Sequence, residues 1–449
     1  YDVFDNVTLR GGFGLFSGGN PNVWMTNNYQ NDGVSAADFI CRDLNRCNFP
    51  GIVTLANPAQ PNLGDFTYGG GAGSPFFDVP DEAVQYIAGA SAVGSVNALD
   101  PDFEIPSQWK IALGTTVDFD SDIPYVGDDW TFNADILLSE AKEAAIVVPL
   151  GYTEARRAAD GRPIWAGNTN DFIVTNSEKK PYSQVYSVSL AKSYDSGIDW
   201  TLGYAYTNAK DVNPMTSSVA FSNFSNYTTR DPVNVPLATS DYENAHRFTL
   251  NFNWELAWAE DWETMFSLFG SVSEGAPYSY TIGSPTFGNT AAIEAPFSNT
   301  RQIAYVPSSV TDPVLSPTSN ATAVQQLVDF INQHDVLSEY KGGIAPRNIA
   351  TDDWYTKIDF RVAQNFPGFM GGDKFEGFVV VENLANLMND EWGLQREHGF
   401  PGSAVLYGVS GVDAKGRYIV QSFNPNVDRD SIVVGASLWN IRFGVKYEF

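Results

Sequence analysis

The final stretch, 439–449, alternates without a break. Trp439, Ile441, Phe443, Val445, Tyr447 and Phe449 are apolar or aromatic, and Asn440, Arg442, Gly444, Lys446 and Glu448 are polar, charged or glycine. Period-two alternation sends the two sets to opposite faces of a β-strand. A soluble sandwich strand looks similar over five residues, but an aromatic face backed by a charged one suits a wall between lipid and water. Followed along the chain, the pattern predicts ten strands at about 7–16, 106–120, 128–140, 182–194, 197–208, 244–258, 262–282, 354–366, 372–384 and 437–449. The stretch 248–258 is the clearest, with Phe248, Leu250, Phe252, Trp254, Leu256 and Trp258 opposite Arg247, Thr249, Asn251, Asn253 and Glu255.

The connections alternate as strictly as the residues. Short turns fall at 120–127, 195–197, 259–261 and 367–373, and polar stretches of tens of residues at about 17–105, 139–181, 209–242, 284–353 and 385–436. Outer-membrane barrels have short periplasmic turns and long extracellular loops, whereas a soluble sandwich has no reason to collect its long loops at one end. No run approaches the roughly 18 apolar residues of a membrane-spanning helix, and only helices and closed barrels cross lipid. The expected fold is therefore all-β, a transmembrane antiparallel outer-membrane β-barrel. Within the loops, Val324, Leu327, Val328 and Ile331 predict a helix with Thr322 as its cap. A small hairpin is expected from VLYGV, the turn DAKG and RYIVQSF.

Charge and composition narrow the chemistry. The chain carries 26 basic and 53 acidic residues, a net charge of −27 over 449 residues. Such a balance argues against nucleic acid, which needs clustered Lys and Arg. With three histidines (His246, His334, His398) no Ser/His/Asp arrangement commends itself, so no enzyme activity, cofactor or metal is expected. Asp118, Asp120 and Asp122 have the spacing of a calcium loop, but Ile123 stands where its sharp turn wants Gly, so the segment reads as an acidic turn. Cys41 and Cys47, in CRDLNRC, read as a local disulfide of an oxidising compartment.

Charged side chains cannot face hydrocarbon cheaply, so Arg10, Lys110, Arg247, Glu255, Asp359, Arg361, Arg442 and Lys446 are candidates to line a lumen. Trp109, Trp130, Trp200, Trp254, Trp258 and Trp439 suit interfacial girdles. The loop aromatics Phe16, Trp24, Tyr29, Phe221, Phe224 and Tyr227 either stack on a ligand or pack on their own loops, and self-packing is the reading preferred.

The stretches FGLFSGGNPNVW, DPDFEIPSQWKIALG, DVNPMTSSVAFSNF, ENAHRFTLNFNW, GAPYSYTIG, WYTKIDFRVAQNFPGF, VENLANLMNDEWG and SLWNIRFGVKYEF fall in order over nearly the whole chain. Together they resemble the C-terminal barrel portion of TonB-dependent outer-membrane transporters of the Oar-like branch. The resemblance implies location in the outer membrane of a Gram-negative bacterium. It also implies movement of a large or scarce solute, inward or outward, with energy from TonB–ExbB–ExbD acting through a plug domain. Phe449 resembles the terminal aromatic read by the barrel-assembly machinery. The family's signal peptide, plug and first strands have no counterpart in these residues, so the ten strands are expected to be the last part of a roughly 22-stranded barrel. The rival readings are a self-contained ten-stranded passive channel and a surface-adhesion protein.

Overall fold

The computed structural model describes residues 2–18, 22–30, 96–121, 127–166, 171–259, 262–283, 302–370 and 372–449. Cys41 and Cys47, with the disulfide expected between them, lie outside the described residues, as does most of the acidic turn 120–127.

One antiparallel sheet runs the length of the chain. After a short margin strand, Asp2–Phe4, its members in spatial and sequence order are Val7–Ser17, Ser107–Phe119, Trp130–Glu143, Tyr182–Tyr194, Ile198–Asp211, His246–Ala259, Trp262–Ser273, Tyr355–Pro367, Lys374–Glu382 and Asn440–Glu448. Every strand pairs with its predecessor, as a meander must when each turn is a hairpin. The ten alternating stretches of the sequence are these ten strands. The tight turn after Tyr194 depends on Gly197, which has φ +78° and lies so close to the Glu255 carbonyl that an added Cβ would sit 2.3 Å from its oxygen.

One expected strand is cut short. The stretch 262–282 leaves the main sheet after Ser273, and Pro277–Gly283 runs parallel to Ser403–Val412 in a separate four-stranded sheet. All seven residues of PYSYTIG are buried. Its hydroxyls as well as its apolar side chains find partners there, which a strand with one face in lipid does not offer. Gly275 sits against the Asp352 backbone and makes the break possible.

The long connections build a body of their own at one end of the sheet. Its largest core joins Tyr280, Ile282, Leu327, Ile331, Leu406 and Tyr407. The helix expected from Val324, Leu327, Val328 and Ile331 spans Ala321–Gln333 and turns that stripe inward. Its cap is Asn320 rather than Thr322: the Asn320 side chain accepts from the amides of Thr322 and Ala323. The expected hairpin is present as Ser403–Val412 and Tyr418–Phe423. The connection 144–181, expected as a plain loop, holds the strands Ala145–Pro149 and Phe172–Asn176 and a small hairpin, Thr153–Arg157 with Pro163–Ala166.

A buried ion pair ties the connections together. Arg162 Nε lies 2.8 Å from Asp160 Oδ2, both side chains almost wholly buried, and the guanidinium also donates to the Ile303 carbonyl at 2.8 Å. Tyr418 donates to Asp160 at 2.6 Å. Three loops far apart in sequence thus meet on two charges.

Burial is inverted between the two bodies. The loop body has a dry core, whereas the apolar face of the main sheet is open: Phe443 is 78% exposed, Val445 76% and Phe13 69%. A face of that size exposed to water would be an aggregation site, and lipid is what accommodates it.

Two substitutions test this division. Phe443→Arg should cost about 2–4 kcal/mol of stability in bilayers if the residue faces hydrocarbon near mid-depth, while Arg442→Ala should cost far less; urea titration of vesicle-inserted protein reads both. Asp160→Ala strands a buried guanidinium and should destabilise the loop body by about 3–5 kcal/mol, seen as faster hydrogen exchange at 278–283 and 403–409 with 248–256 unchanged.

Candidate functional site

Directly paired residues of an antiparallel sheet point to the same face. Arg10 pairs with Gly114, Gly114 with Asp135, Asp135 with Ser187, Ser187 with Ala205, Ala205 with Arg247 and Arg247 with Ser273. In the same register Ser271 pairs with Lys357, Arg361 with Val380 and Val380 with Arg442. With alternation along each strand, this relay puts all eight lumen candidates on one face. Leu113, Ile136, Val188, Leu202, Leu250, Phe360, Val379 and Phe443 share the other.

The eight are not equivalent. Arg10 holds Asp135 with Nη2 at 2.7 and 2.9 Å and Thr116 with Nη1 at 2.7 Å. Gly114 allows this, since a Cβ there would lie 2.2 Å from Asp135 Oδ1. Arg361 pairs with Glu376 at 2.6 Å, Arg442 with Glu382 and Lys446 with Glu448. Asp359 accepts from the Asn383 amide at 2.8 Å and faces Lys357 at 3.2 Å. Lys110 lies over the Phe16 ring, 5.6 Å from its centre. Arg247 and Glu255 have no ion-pair partner among the described residues. The partners Asp135, Glu376, Glu382 and Lys357 escaped the sequence reading, although alternation places each of them on the polar face.

Asn383 gives the stretch VENLANLMNDEWG a structural role. It adopts φ +53°, a conformation Asn tolerates better than most residues, and its amide group donates to the carbonyls of Gly393 and Ser437, both at 2.8 Å. It clasps the base of the last loop to the end of its strand.

The aromatics assigned to the loops divide between packed and open positions. Phe224 and Tyr227 are buried, and Trp24 packs against the cluster of Val147, Phe172, Val174 and Phe224. Phe221 stands edge-on to Phe172, Phe16 lies beneath Lys110, and Tyr29 is exposed.

Two histidines of the loop body are held by opposite arrangements. His334 accepts the Leu337 amide at Nδ1, 3.2 Å away, so its proton sits on Nε2, which faces the Tyr280 hydroxyl at 2.9 Å. Tyr280 in turn donates to Asp428 at 2.5 Å. Burial would raise the Asp428 carboxyl, but hydrogen bonds from His334 and Tyr280 outweigh it and hold the group below its ordinary range. Burial is also the main reason that Tyr278 and Tyr280 are pushed far up and stay neutral.

At His398 both ring nitrogens face acceptors: Asp352 Oδ1 lies 2.6 Å from Nδ1, and the Val427 carbonyl 3.1 Å from Nε2. Two acceptors require two protons, so the geometry selects the imidazolium, which stacks on Tyr278 at 3.8 Å between ring centres. Burial alone would lower this group, but Asp352 and the Val427 carbonyl outweigh it and raise it above 6.5. The third histidine, His246, sits beside Tyr204, 2.8 Å from its hydroxyl, at the end of its strand near Trp354.

The sheet's register and its exposed apolar face are matched by sequence. The family model of the outer membrane beta barrel domain matches residues 1–389. The chain belongs to that family. It is an antiparallel outer-membrane β-barrel protein of the Gram-negative outer membrane. No curated protein matches the sequence. Among solved structures, the outer membrane transporter YddB from Escherichia coli is similar at 12% identity and a TM-score of 0.36, over 79% of this chain. The match spans 34%, about a third, of the transporter's own chain.

The His398 pair makes a pH prediction. A folded-state value above the unfolded one adds stability that is complete below pH 6.5 and is lost as pH rises through the elevated value. Melting of the loop body should therefore fall as pH is raised above 6.5, and His398→Gln should flatten that slope while leaving the main sheet's stability unchanged.

Proposed function

We propose that this chain is barrel wall and extracellular cap of a TonB-dependent transporter of the Oar-like kind. On this reading it moves a large or scarce solute across the outer membrane with energy from TonB–ExbB–ExbD acting through a plug. The observation that carries the reading is the open main sheet. Among the described residues Asn440–Glu448 pairs with Lys374–Glu382 alone, and nothing joins it to Asp2–Phe4 or Val7–Ser17. Hydrocarbon tolerates no unpaired strand edge, so a sheet of this kind needs further strands to close. That speaks against the self-contained ten-stranded channel.

The polar face supports the same reading. Arg10, Lys110, Arg247, Glu255, Asp359, Arg361, Arg442 and Lys446 line the lumen on this proposal. Arg247 and Glu255, which have no ion-pair partner within the described wall, are the two best placed to meet a plug or a passing solute. The loop body is large and internally packed, as a capturing cap requires. Adhesion would need the same body but no ordered polar face beneath it. We also read the protein as non-catalytic, because the cap histidines His334 and His398 are both tied into packing contacts.

Comparative depletion of medium solutes, followed by mass spectrometry in wild-type, deletion and TonB-deficient cells, tests this. At least one solute should persist in both mutant cultures while the wild type removes it. Identical depletion by the wild type and the deletion strain, or depletion that survives loss of TonB, would rule the transporter out.

A further inference from the structure

A cavity of about 320 Å³ opens in the loop body at the end of strand Ile198–Asp211, and three cations line it: Lys210, Arg230 and Arg347. Among the described residues no carboxylate lines it. In a chain carrying −27, such a gathering of positive charge runs against the average surface.

The three cations differ in what neutralises them. Arg347 is buried and spent, since its guanidinium pairs with Asp211 and donates to the carbonyls of Thr239 and Val212. Among the described residues Lys210 has only a neutral contact, the Thr239 hydroxyl at 2.7 Å. Arg230 is exposed and has no ion-pair partner among the described residues. Its neighbour Asp231 is occupied elsewhere, accepting from Trp165 Nε1 at 3.2 Å and from the amides of Val233 and Asn234 at 3.0 and 3.1 Å. Two positive charges therefore face the cavity with no compensating acid among the described residues.

The rest of the lining is largely apolar, with Val235, Leu237 and Ile303 among its walls. An anion entering there exchanges water for charge-assisted hydrogen bonds in a medium of lower dielectric, where they count for more. At roughly 30 Å³ per water-sized group, the space holds an organic body of about ten heavy atoms.

We propose that this cavity binds a small organic carboxylate, its anionic group between Lys210 and Arg230 and its apolar part against Val235, Leu237 and Ile303. The proposal rests on the transporter reading only in naming the class of solute that the cap captures. The cavity itself is a binding site whether or not that solute is moved.

Phenylacetate has the required size and charge, and phenylacetamide is its neutral counterpart. Calorimetric titration of the purified, detergent-solubilised protein should show saturable binding of phenylacetate that weakens with salt, and none of phenylacetamide. Arg230→Gln, at an exposed position with no ion-pair partner among the described residues, should weaken phenylacetate about tenfold or more with unchanged melting. Lys210→Met should do the same. Equal binding of the amide, wild-type affinity in both variants, or no saturable phenylacetate binding would each overturn the site. Saturable phenylacetate binding with no TonB-dependent uptake of any solute would leave the site standing and remove the transport reading. TonB-dependent uptake of other solutes without phenylacetate binding would do the reverse.

Discussion

Hydrocarbon supplies no hydrogen-bond partner to a peptide group, and the rest of this structure follows from that constraint. Every strand of the main sheet must find its neighbours, and nine successive antiparallel pairings from Val7–Ser17 to Asn440–Glu448 meet the demand without a crossover. The two margins do not meet it within the described residues. The same constraint dictates side chains, because a residue facing lipid has nothing polar to meet. Strict alternation is the result, and so is the gathering of ion pairs such as Arg10–Asp135 and Arg361–Glu376 on one face.

The loop body obeys the opposite rule. It sits in water and earns its stability in the ordinary way, by burying Tyr280, Leu327, Leu406 and Tyr407 around a helix and a small sheet. The break at 274–276 is where one rule gives way to the other. Before it, Trp262–Ser273 alternates against lipid; after it, Pro277–Gly283 is buried on both sides. A single stretch of sequence thus serves two solvents, and what distinguishes the halves is the pairing each finds.

Buried charge in the loop body is used to join segments. Asp160–Arg162 links three connections, Arg347 fastens 343–351 to the end of strand Ile198–Asp211, and His398–Asp352 secures the last connection to the fourth. Each pair adds hydrogen bonds to backbone carbonyls or amides, which offsets the desolvation that an isolated buried pair would suffer. Lys210 and Arg230 stand apart because no acid among the described residues is placed against them.

The ten strands, the side that each residue faces and the grouping of long connections at one end were all legible in the sequence. Period-two alternation is a local property, and lipid enforces it along the middle of each strand. The helix of the fourth connection was legible for the same reason, through its 3.6-residue repeat, although its cap fell to Asn320 instead of Thr322. What the tertiary structure alone decided is long-range. The departure of Pro277–Gly283 into a parallel pairing with Ser403–Val412 leaves no local trace, because a strand buried on both faces looks like more of the strand before it. The double acceptor set around His398 brings together residues 352, 398 and 427, and the cation-lined cavity brings together 210, 230 and 347. Contacts between loops depend on where each loop returns, and no spacing within a single segment encodes that.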